Sequence, residues 1–345
     1  MSLHSQSGAQ RGTRGAPPAA TGAAAGRAAG EAAGRGGATV GRLAALVALA
    51  VLLGAPFLLY PVFLMKVLCF ALFACAFNLL IGFGGLLSFG HAAFFGSAAY
   101  VTAHVVKEWG LPPELGILLG TAAAAVLGLA FGAIAIRRQG IYFAMITLAL
   151  SQMVFFLALQ LPFTHGEDGI QAVPRGTLFG LFNLNDPLAM YYTVLAVFLI
   201  GFAIIWRTVH SPFGQVLKAI RENEPRAISL GYRTDRYKLL AFVLSATLTG
   251  LAGGTKAIVF QLATLTDVTW QMSGEVVLMT LLGGMGTLFG PVVGAGLVVA
   301  LENYLAATSL PVPVVIGVIF VVCVLLFRRG IAGEVLARMG QQKAK

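Results

Sequence analysis

The stretch VFLMKVLCFALFACAFNLLIG, residues 62–82, decides the fold class. Apart from Lys66 and Asn78 it holds only apolar residues and glycine, and a helix needs about 20 such residues to cross a bilayer. The whole chain has the same character, since 58% of its 345 residues are hydrophobic, 10% are charged and the mean hydropathy is +0.87. A soluble core cannot hide this much apolar surface. We therefore predict an all-α, polytopic membrane protein.

Ten apolar spans follow one another along the chain, which predicts about 8–10 transmembrane helices. The third, eighth and ninth spans are short, and this length is typical of half-helices or re-entrant segments, that is, of broken helices. The spans are residues 43–60, 62–82, 91–106, 115–136, 141–160, 187–206, 237–259, 275–289, 291–306 and 311–327.

The segments outside these spans define the domains. Residues 1–42 are rich in alanine and glycine, and they carry five arginines against one acid, Glu31. A segment of such low complexity cannot bury a core, so we predict a disordered tail. Residues 43–330 form the predicted transmembrane domain, and residues 331–345 form a second tail.

Basic residues are distributed unevenly between the two sides of the spans. With the N-terminus inside, the tail 1–42, Arg137, Arg138, the loop 207–238 and the residues from Arg328 onward together hold 19 of the 23 lysines and arginines. The positive-inside rule assigns the side rich in these residues to the cytoplasm. Both termini and the loop 207–238 are therefore predicted to be cytoplasmic.

The long cytoplasmic loop contains the stretch GQVLKAIRENEPRAISLGYRTDRYKLL, residues 214–240, with six basic and three acidic side chains. Apolar residues recur in it at helical spacing, and Pro225 favours a helix break or a first helical turn. We predict two short amphipathic helices on the membrane face. They form either a solvated loop that fixes topology or a docking surface for a cytoplasmic partner. The ordered apolar positions favour docking, because an orientation signal needs only charge.

Motifs of bond-breaking chemistry are not found in the sequence. It contains no G-x-x-x-x-G-K-[ST], no H-E-x-x-H, no G-x-S-x-G and no Cys/His cluster. In the outside loop, His165, Glu167 and Asp168 sit beside glycines, which is more typical of a solvated turn than of a metal site. We predict no catalytic residue, no metal and no cofactor bound by this chain. Three cysteines lie in apolar runs and are interpreted as packing residues: Cys69, Cys75 and Cys323.

Ionisable residues are scarce within the apolar spans. Lys256, Glu275 and Glu302 lie near predicted outer ends, from which long side chains can snorkel to the interface. A proton- or sodium-driven carrier usually needs buried acids, so this scarcity weighs against one. A transporter without an ion relay or a nucleotide site must take its energy from a partner, and a docking loop provides such a contact.

Glycines recur at spacings that suit close helix packing. Gly286, Gly290 and Gly294 form two successive small-xxx-small steps, which let helix backbones approach in lipid. In addition, four residues of GGLLSFGHAAFFG, residues 84–96, recur two hundred positions later, and broken helices in such internal repeats flank the central site of many transporters. The repeated residues are Gly84, Phe89, Gly90 and Gly96 against Gly284, Phe289, Gly290 and Gly296.

Four collinear stretches resemble the inner-membrane permeases of branched-chain amino acid ABC importers, the LivM type. The resemblance covers most of residues 70–330, and the tail 1–42 has no counterpart in it. The stretches are NLLIGFGGLLSFGHAAFFGSAAYVTA (78–103), RRQGIYFAMITLALSQM (137–153), SPFGQVLKAIRENEPRAISLGYRTDRYKLLAFVLSATLTGLAGG (211–254) and LLGGMGTLFGPVVGAG (281–296).

This resemblance implies one subunit of a heteromeric importer in the bacterial inner membrane. A second homologous permease subunit completes the pore, two cytoplasmic ABC ATPase subunits use ATP and Mg, and a periplasmic substrate-binding protein delivers leucine, isoleucine or valine. The other contacts are with membrane lipid, and no nucleic acid is involved. Similar permeases serve urea and other amides, and more distant ones serve pentoses. The rival from another class is a self-contained secondary carrier, and a membrane-embedded enzyme comes third.

The resemblance also assigns an ATPase-coupling role to the loop. ABC permeases commonly carry the motif E-A-A-x-x-x-G there, of which PRAISLG keeps only Ala227 and Gly231. Leu217, Ile220 and Ile228 are expected to insert into a groove on the ATPase. Arg221, Glu222 and Arg226 are expected to rim that contact. The candidate coupling residues are Gly214, Leu217, Ile220, Arg221, Glu222, Arg226, Ala227 and Gly231.

Small and hydroxyl side chains are suited to line a path for a zwitterion. In the mid-chain stretches the candidates are Ser88, Thr147, Ser151 and Gln152. The alternative interpretation is that these side chains only form hydrogen bonds between helices.

Overall fold

The computed structural model of the protein describes residues 50–180, 182–306 and 312–326, together with residues 330, 331 and 334. The predicted tail 1–42, part of the first predicted span and nearly all of the tail 331–345 lie outside the described residues. The chain up to Gly54 forms a unit of its own, in which residues 50–54 are helical. The architecture below belongs to the second unit, which begins at Ala55.

Helices account for almost all of the regular structure that is described. A π-helical turn at Leu79–Phe83 extends the first α-helix, and 3-10 turns occur at Ala55–Phe57, Pro162–Thr164, Gly166–Asp168 and Leu265–Asp267. The α-helices are α1 Pro61–Asn78, α2 His91–Lys107, α3 Pro113–Ala135, α4 Ile141–Gln160, α5 Pro187–His210, α6 Pro212–Glu222, α7 Glu224–Ser229, α8 Thr234–Phe260, α9 Trp270–Gly283, α10 Gly290–Leu305 and α11 Val312–Leu326.

The prediction of an all-α, polytopic membrane protein is confirmed. Among the described residues, five helices are long and apolar enough to cross a membrane: α1 with its π turn, α3, α4, α5 and α8. The other apolar helices are shorter. α2 has 17 residues, α9 has 14, α10 has 16 and α11 has 15.

The core of the bundle is built around α1 and α8. In their most apolar windows, 83% of α1 and 72% of α8 are buried, against 28% of α3, 33% of α4 and 39% of α5. A helix that is apolar on all sides yet mostly exposed suits a lipid environment rather than water. We therefore assign α3, α4 and α5 to the periphery of the bundle.

Two glycine-rich loops interrupt the apolar runs, and we call these two loops the breaks. Residues 84–90 separate α1 from α2, and residues 284–289 separate α9 from α10. At 1.5 Å per residue, α9 is about 21 Å long, which is shorter than the bilayer core. The predicted eighth span, 275–289, is corrected in its boundaries, because α9 ends at Gly283 and residues 284–289 form a loop.

Short strands, which the sequence analysis did not predict, order the outside loop. Strands β1 Ile170–Gln171 and β4 Leu262–Ala263 pair antiparallel, with Ile170 opposite Ala263. Strands β2 Thr177–Leu178 and β3 Phe182–Asn183 form a second antiparallel pair, with Thr177 opposite Asn183. Strands of two residues carry no alternating pattern, so periodicity cannot reveal them. The first pair ties this loop to the end of α8.

A labelling experiment tests the predicted orientation of the bundle. Gln215, on α6, and Asp168, in the outside loop, are both exposed, whereas the thiols of Cys69 and Cys75 are buried. In intact spheroplasts, a membrane-impermeant maleimide is expected to label Asp168→Cys and to leave Gln215→Cys unlabelled until the membrane is opened. The opposite pattern would invert the topology.

Candidate functional site

Two capped helices form the charged loop. Ser211 Oγ accepts a hydrogen bond from Gly214 N at 3.3 Å and starts α6. Directly after α6, Asn223 Oδ1 accepts from Arg226 N at 3.0 Å and starts α7, with Pro225 in its first turn. Such caps satisfy N–H groups that the first helical turn leaves without a partner. The prediction of two short helices in this loop is confirmed.

The apolar face of α6 is buried within this chain. Leu217 is fully buried and Ile220 is 3% exposed. Leu217 packs on Gly84, and Lys218 Nζ lies 5.5 Å from the centre of the Phe83 ring. The expectation that Leu217 and Ile220 insert into a partner is therefore wrong, because both side chains already pack against the bundle.

Arg221 also makes its polar contact inside the chain. Its Nη1 donates a hydrogen bond to Gly82 O, and its side-chain stem lies against Gly85. Glu222 and Arg226 face outward and are exposed. Arg221 is itself exposed, so the expectation that it rims a partner contact stays a prediction, although its guanidinium also holds the end of α1.

Among the described residues, two apolar side chains in and directly after α7 are exposed. Ile228 is 56% exposed and Leu230 is 70% exposed. Ala227, in contrast, is 3% exposed, and Gly231 has a φ of +87°, which glycine adopts without strain. We call the following residues, which include the last residue of α6, the α7 patch: Glu222, Arg226, Ile228 and Leu230.

An ion pair fixes α7 on the bundle. Lys238 Nζ, on α8, lies 2.5 Å from Glu224 Oε1, at the start of α7. The Lys238 side chain is 4% exposed and that of Glu224 is 16% exposed, so the pair is largely screened from water. The α7 patch is therefore presented by an ordered helix rather than by a loose loop.

Gly290 and Gly294 lie where α10 packs on α9. A Cβ atom at Gly290 would be 2.6 Å from Gly284 O, and one at Gly294 would be 2.9 Å from Gly283 N. Gly286 does not share this helical face, because it lies in the loop with a φ of +76°. The interpretation of these glycines as one packing face is thus corrected for Gly286.

The two glycine-rich loops start their helices in the same way. Gly90 N donates to Ser88 Oγ at 3.1 Å, and Gly290 N donates to Thr287 Oγ1 at 3.1 Å. A hydroxyl two or three residues before the helix thus satisfies an N–H group at the helix start in both loops. The donors Gly90 and Gly290 correspond at a spacing of two hundred residues, whereas the acceptors Ser88 and Thr287 do not, so the repeat stays a prediction.

The first turns of α2 and α9 meet inside the bundle. Ala92 N donates to Ser273 Oγ at 2.9 Å, and both residues are fully buried. The free N–H groups at a helix N-terminus give it a partial positive charge. Broken helices direct such ends at the central site of many transporters. This meeting point is therefore the candidate translocation site.

Two of the four predicted path residues come together at the N-terminus of α2. Phe89 N donates to Thr147 Oγ1 at 3.2 Å, which in turn donates to Ala144 O at 2.9 Å. Ser88 and Thr147 are both fully buried. Their hydroxyl groups already form hydrogen bonds with the backbone. In this conformation, Ser88 and Thr147 therefore fit the alternative interpretation, in which such side chains only form hydrogen bonds within the helix bundle.

The other two path residues lie one turn further along α4. Ser151 is fully buried, and its Oγ has no hydrogen-bond partner among the described residues. Gln152 is partly exposed. The structure therefore places Ser151 in the interior and Gln152 nearer to the surface of the bundle.

Two ion pairs lie in the half of the bundle that holds the outside loop. Lys256 Nζ lies 2.8 and 2.7 Å from the two carboxylate oxygens of Asp267. Lys66 Nζ lies 3.1 Å from Glu302 Oε2. The expectation that Lys256 snorkels to the interface is wrong, because its ammonium is held in the interior.

The outside loop holds the acidic turn noted in the sequence. His165, Glu167 and Asp168 are arranged around a 3-10 turn, and all three are exposed. Within residues 50–180, 182–306 and 312–326, no group of three His, Cys, Asp or Glu side chains is placed to hold a metal ion.

Comparison with known sequences decides the family. A profile of the family described as "Branched-chain amino acid transport system / permease component" matches residues 60–327, which include α1 to α11. The chain belongs to this permease family. Together with the apolar helices, this makes the permease a multi-pass protein of the inner membrane, as predicted.

Relatives of the permease differ in the solute that their names specify. It is 31% identical over 214 residues to the high-affinity branched-chain amino acid transport system permease protein LivM of Escherichia coli (strain K12), across 55% of this chain and 49% of LivM. It is 28% identical over 237 residues to the ribose import permease protein RbsC of Bacillus subtilis (strain 168), across 64% and 70% of the two chains. The chain therefore spans about half the length of LivM.

A third relative names another solute. The permease is 27% identical over 173 residues to the autoinducer 2 import system permease protein LsrC of Salmonella choleraesuis (strain SC-B67), across 48% of both chains. No solved structure matches significantly. The relatives are named as permeases, so the sequence prediction of a membrane subunit that is not itself an enzyme agrees with them.

Several residues that organise the permease are not among the predicted site residues. His91 Nε2 lies 2.9 Å from Ser245 Oγ, which donates to Ala76 O at 2.6 Å. Asn78 also donates a hydrogen bond to Thr287 O, and Ser273 Oγ accepts one from Ala92 N. A polar residue within an apolar run could have identified them, because burying a polar side chain is costly unless it forms a hydrogen bond.

Proposed function

We propose that the permease is a membrane subunit of an ATP-driven importer that carries leucine, isoleucine or valine across the inner membrane. The observation that carries this proposal is the family match over residues 60–327 together with 31% identity to LivM. In this proposal a periplasmic binding protein delivers the amino acid, and a second homologous permease completes the pore. Two cytoplasmic ATPase subunits use ATP and Mg, and this chain binds neither.

The α7 patch is the proposed docking surface for the ATPase. It combines two exposed apolar side chains, Ile228 and Leu230, with the outward charges of Glu222 and Arg226. Interfaces commonly surround an apolar centre with polar residues that set the orientation. The docking interpretation of the loop is therefore kept, but Ile228 and Leu230, rather than Leu217 and Ile220, form the apolar part of the proposed contact.

The proposed path for the amino acid passes the meeting point of α2 and α9. There, the partial positive charges of two helix N-termini favour a carboxylate. Ser88, Thr147, Ser151 and Gln152 are the proposed lining residues, and Ser151 Oγ has hydrogen-bonding capacity that no described residue uses. A shift of α4 during transport would expose these hydroxyl groups to the solute.

The relatives RbsC and LsrC provide the alternative substrates, ribose and autoinducer 2. Uptake of labelled leucine into cells that lack this permease, with and without a plasmid that encodes it, distinguishes an amino acid substrate from these alternatives. We expect the plasmid to restore leucine uptake, and unlabelled isoleucine and valine to compete while ribose does not. Restored ribose uptake without leucine uptake would contradict the amino acid assignment.

Charging the α7 patch is expected to detach the ATPase. Ile228→Asp and Leu230→Asp each replace an exposed apolar side chain whose burial in an interface contributes about 1.5–3 kcal/mol. Association should weaken by about tenfold or more per variant. ATPase copurification with the tagged permease measures this, and Gln215→Asp, which adds the same charge on α6, serves as the control. Undiminished copurification of both patch variants would exclude α7 as the docking surface.

A further inference from the structure

We propose that Arg221 is a positioning residue that links α6 to both glycine-rich breaks of the membrane domain. The link runs through the carbonyl of Gly82, the amide of Asn78 and the backbone of Gly286, and we call these four residues the latch. The inference rests on the proposed function, because it assigns to α6 the movement that a bound ATPase would cause.

The first part of the latch is the end of α1. Asn78 is the last residue of α1, and a π-helical turn, Leu79–Phe83, follows it. Such turns are rare and frequently occur at functional sites. A Cβ at Gly82 would lie 2.9 Å from Asn78 Cγ and 2.7 Å from Gly286 N. Glycine at position 82 therefore allows the end of α1 to touch the second loop.

The second part of the latch is the side-chain amide of Asn78. Its Nδ2 donates to Thr287 O at 2.8 Å, and its Oδ1 accepts from Gly286 N at 3.0 Å. Asn78 is 2% exposed, so these bonds compete little with water. One side chain thus joins α1 to the loop that starts α10, across more than two hundred residues of sequence.

The third part is Arg221, on α6. Its Nη1 donates to Gly82 O and would lie 3.5 Å from a Cβ atom added at Gly286. Its side-chain stem also lies against Gly85, in the first glycine-rich loop. The Arg221 side chain therefore hydrogen-bonds to the end of α1 and lies beside the loop before α2 and the loop before α10.

The surroundings of Arg221 leave room for movement. A groove of about 390 Å³ lies at this junction and is lined by Gly82, Phe83, Lys218, Arg221, Glu222 and Gly286. Well-packed interiors transmit a displacement directly, whereas a groove lets one element shift relative to another. Across this groove, the Arg221 hydrogen bond joins α6 to the π-helical turn at the end of α1, beside the contact of Lys218 with the Phe83 ring.

These contacts give α6 a means to act on both breaks at once. A conformational change passes between two elements only through contacts that differ between their states. When α6 moves, Arg221 must either pull the carbonyl of Gly82 with it or lose that hydrogen bond. In the first case the end of α1, and through Asn78 the loop before α10, move together with α6.

The test separates coupling from docking in the reconstituted complex of permease, ATPase subunits and binding protein. For Arg221→Gln we expect ATPase association within about twofold of wild type, continued ATP hydrolysis and at least a tenfold rise in ATP consumed per solute imported. Arg221→Lys, which keeps one charged donor, should recover part of the coupling. Arg236→Gln removes an exposed arginine of the same cytoplasmic region and should leave the ratio unchanged.

A second variant keeps the inference testable if Arg221→Gln is poorly folded. Gly82→Ala displaces the Asn78 amide and should raise the same ratio. A wild-type ratio in either folded variant, or loss of ATPase association in Arg221→Gln, overturns the latch. The assay uses the solute that the wild-type complex imports. Import of ribose in place of leucine would therefore contradict the proposed substrate but not the latch. Wild-type coupling in the latch variants contradicts the latch alone.

Discussion

The Asp267→Asn variant is expected to yield at most about a tenth of the folded permease that wild type yields. Asp267 is 2% exposed and holds Lys256 Nζ with both carboxylate oxygens at 2.7–2.8 Å. Removing the charge of one partner leaves a buried ammonium without a counter-ion, which costs about 3–5 kcal/mol. That is a large part of the 5–15 kcal/mol by which proteins are typically stable.

A double variant serves as the control for this prediction. Asn at position 267 still offers an oxygen to Thr264 N, which now donates to Asp267 Oδ2 at 3.3 Å, so the turn before α9 keeps its cap. Adding Lys256→Met removes the uncompensated charge, and an apolar replacement of a buried pair is often neutral. Size-exclusion yield and the melting temperature in detergent should recover in the double variant. Equal yields of wild type and Asp267→Asn would show that the pair is dispensable.

Gly294→Ala is expected to destabilise the α9–α10 pair severely. The added Cβ would overlap Met279 O and lie 2.9 Å from Gly283 N, and neither backbone atom can turn aside as a flexible side chain can. Overpacking of this kind costs up to about 3 kcal/mol. Folded yield in detergent and solute uptake should both fall several-fold.

The same helix offers a matched control two residues away. At Gly296 an added Cβ meets only Val67 Cγ1, at 3.8 Å, which is an ordinary contact distance. Gly296→Ala should therefore keep wild-type yield and uptake, although the substitution and its effect on helix propensity are the same. Similar behaviour of the two variants would show that α10 does not pack closely on α9 at Gly294.

The sequence predicts the helical architecture because the bilayer imposes it. Long apolar runs such as residues 62–82 must become helices, since a helix satisfies its backbone hydrogen bonds within one segment. The short α9 and the break at residues 84–90 follow from the run lengths and from the glycines. The two helices of the cytoplasmic loop follow from apolar spacing and from the caps at Ser211 and Asn223.

The contacts of the candidate site cannot be predicted from the sequence, because they join residues that are far apart in the chain and meet only in the folded protein. Leu217 shows the same helical spacing whether it faces a partner or its own bundle, and only the position of Gly84 decides between them. The position of Lys256 near a helix end is also compatible with snorkelling. Only the turn before α9 places Asp267 beside it and forms the ion pair. Such side-chain contacts depend on the three-dimensional fold, and no local sequence pattern predicts them.

The central claim is that the permease imports its solute with energy from a docked ATPase. The most direct measurement is the release of preloaded labelled leucine from proteoliposomes that hold the permease complex, with the binding protein inside and ATP outside, on the ATPase face. The lumen then corresponds to the periplasm, so transport empties preloaded vesicles, and the loss of labelled leucine is what is followed. We predict loss only when ATP, Mg and the ATPase subunits are all present. Leucine movement by the permease alone, driven by a proton or sodium gradient, would contradict the account.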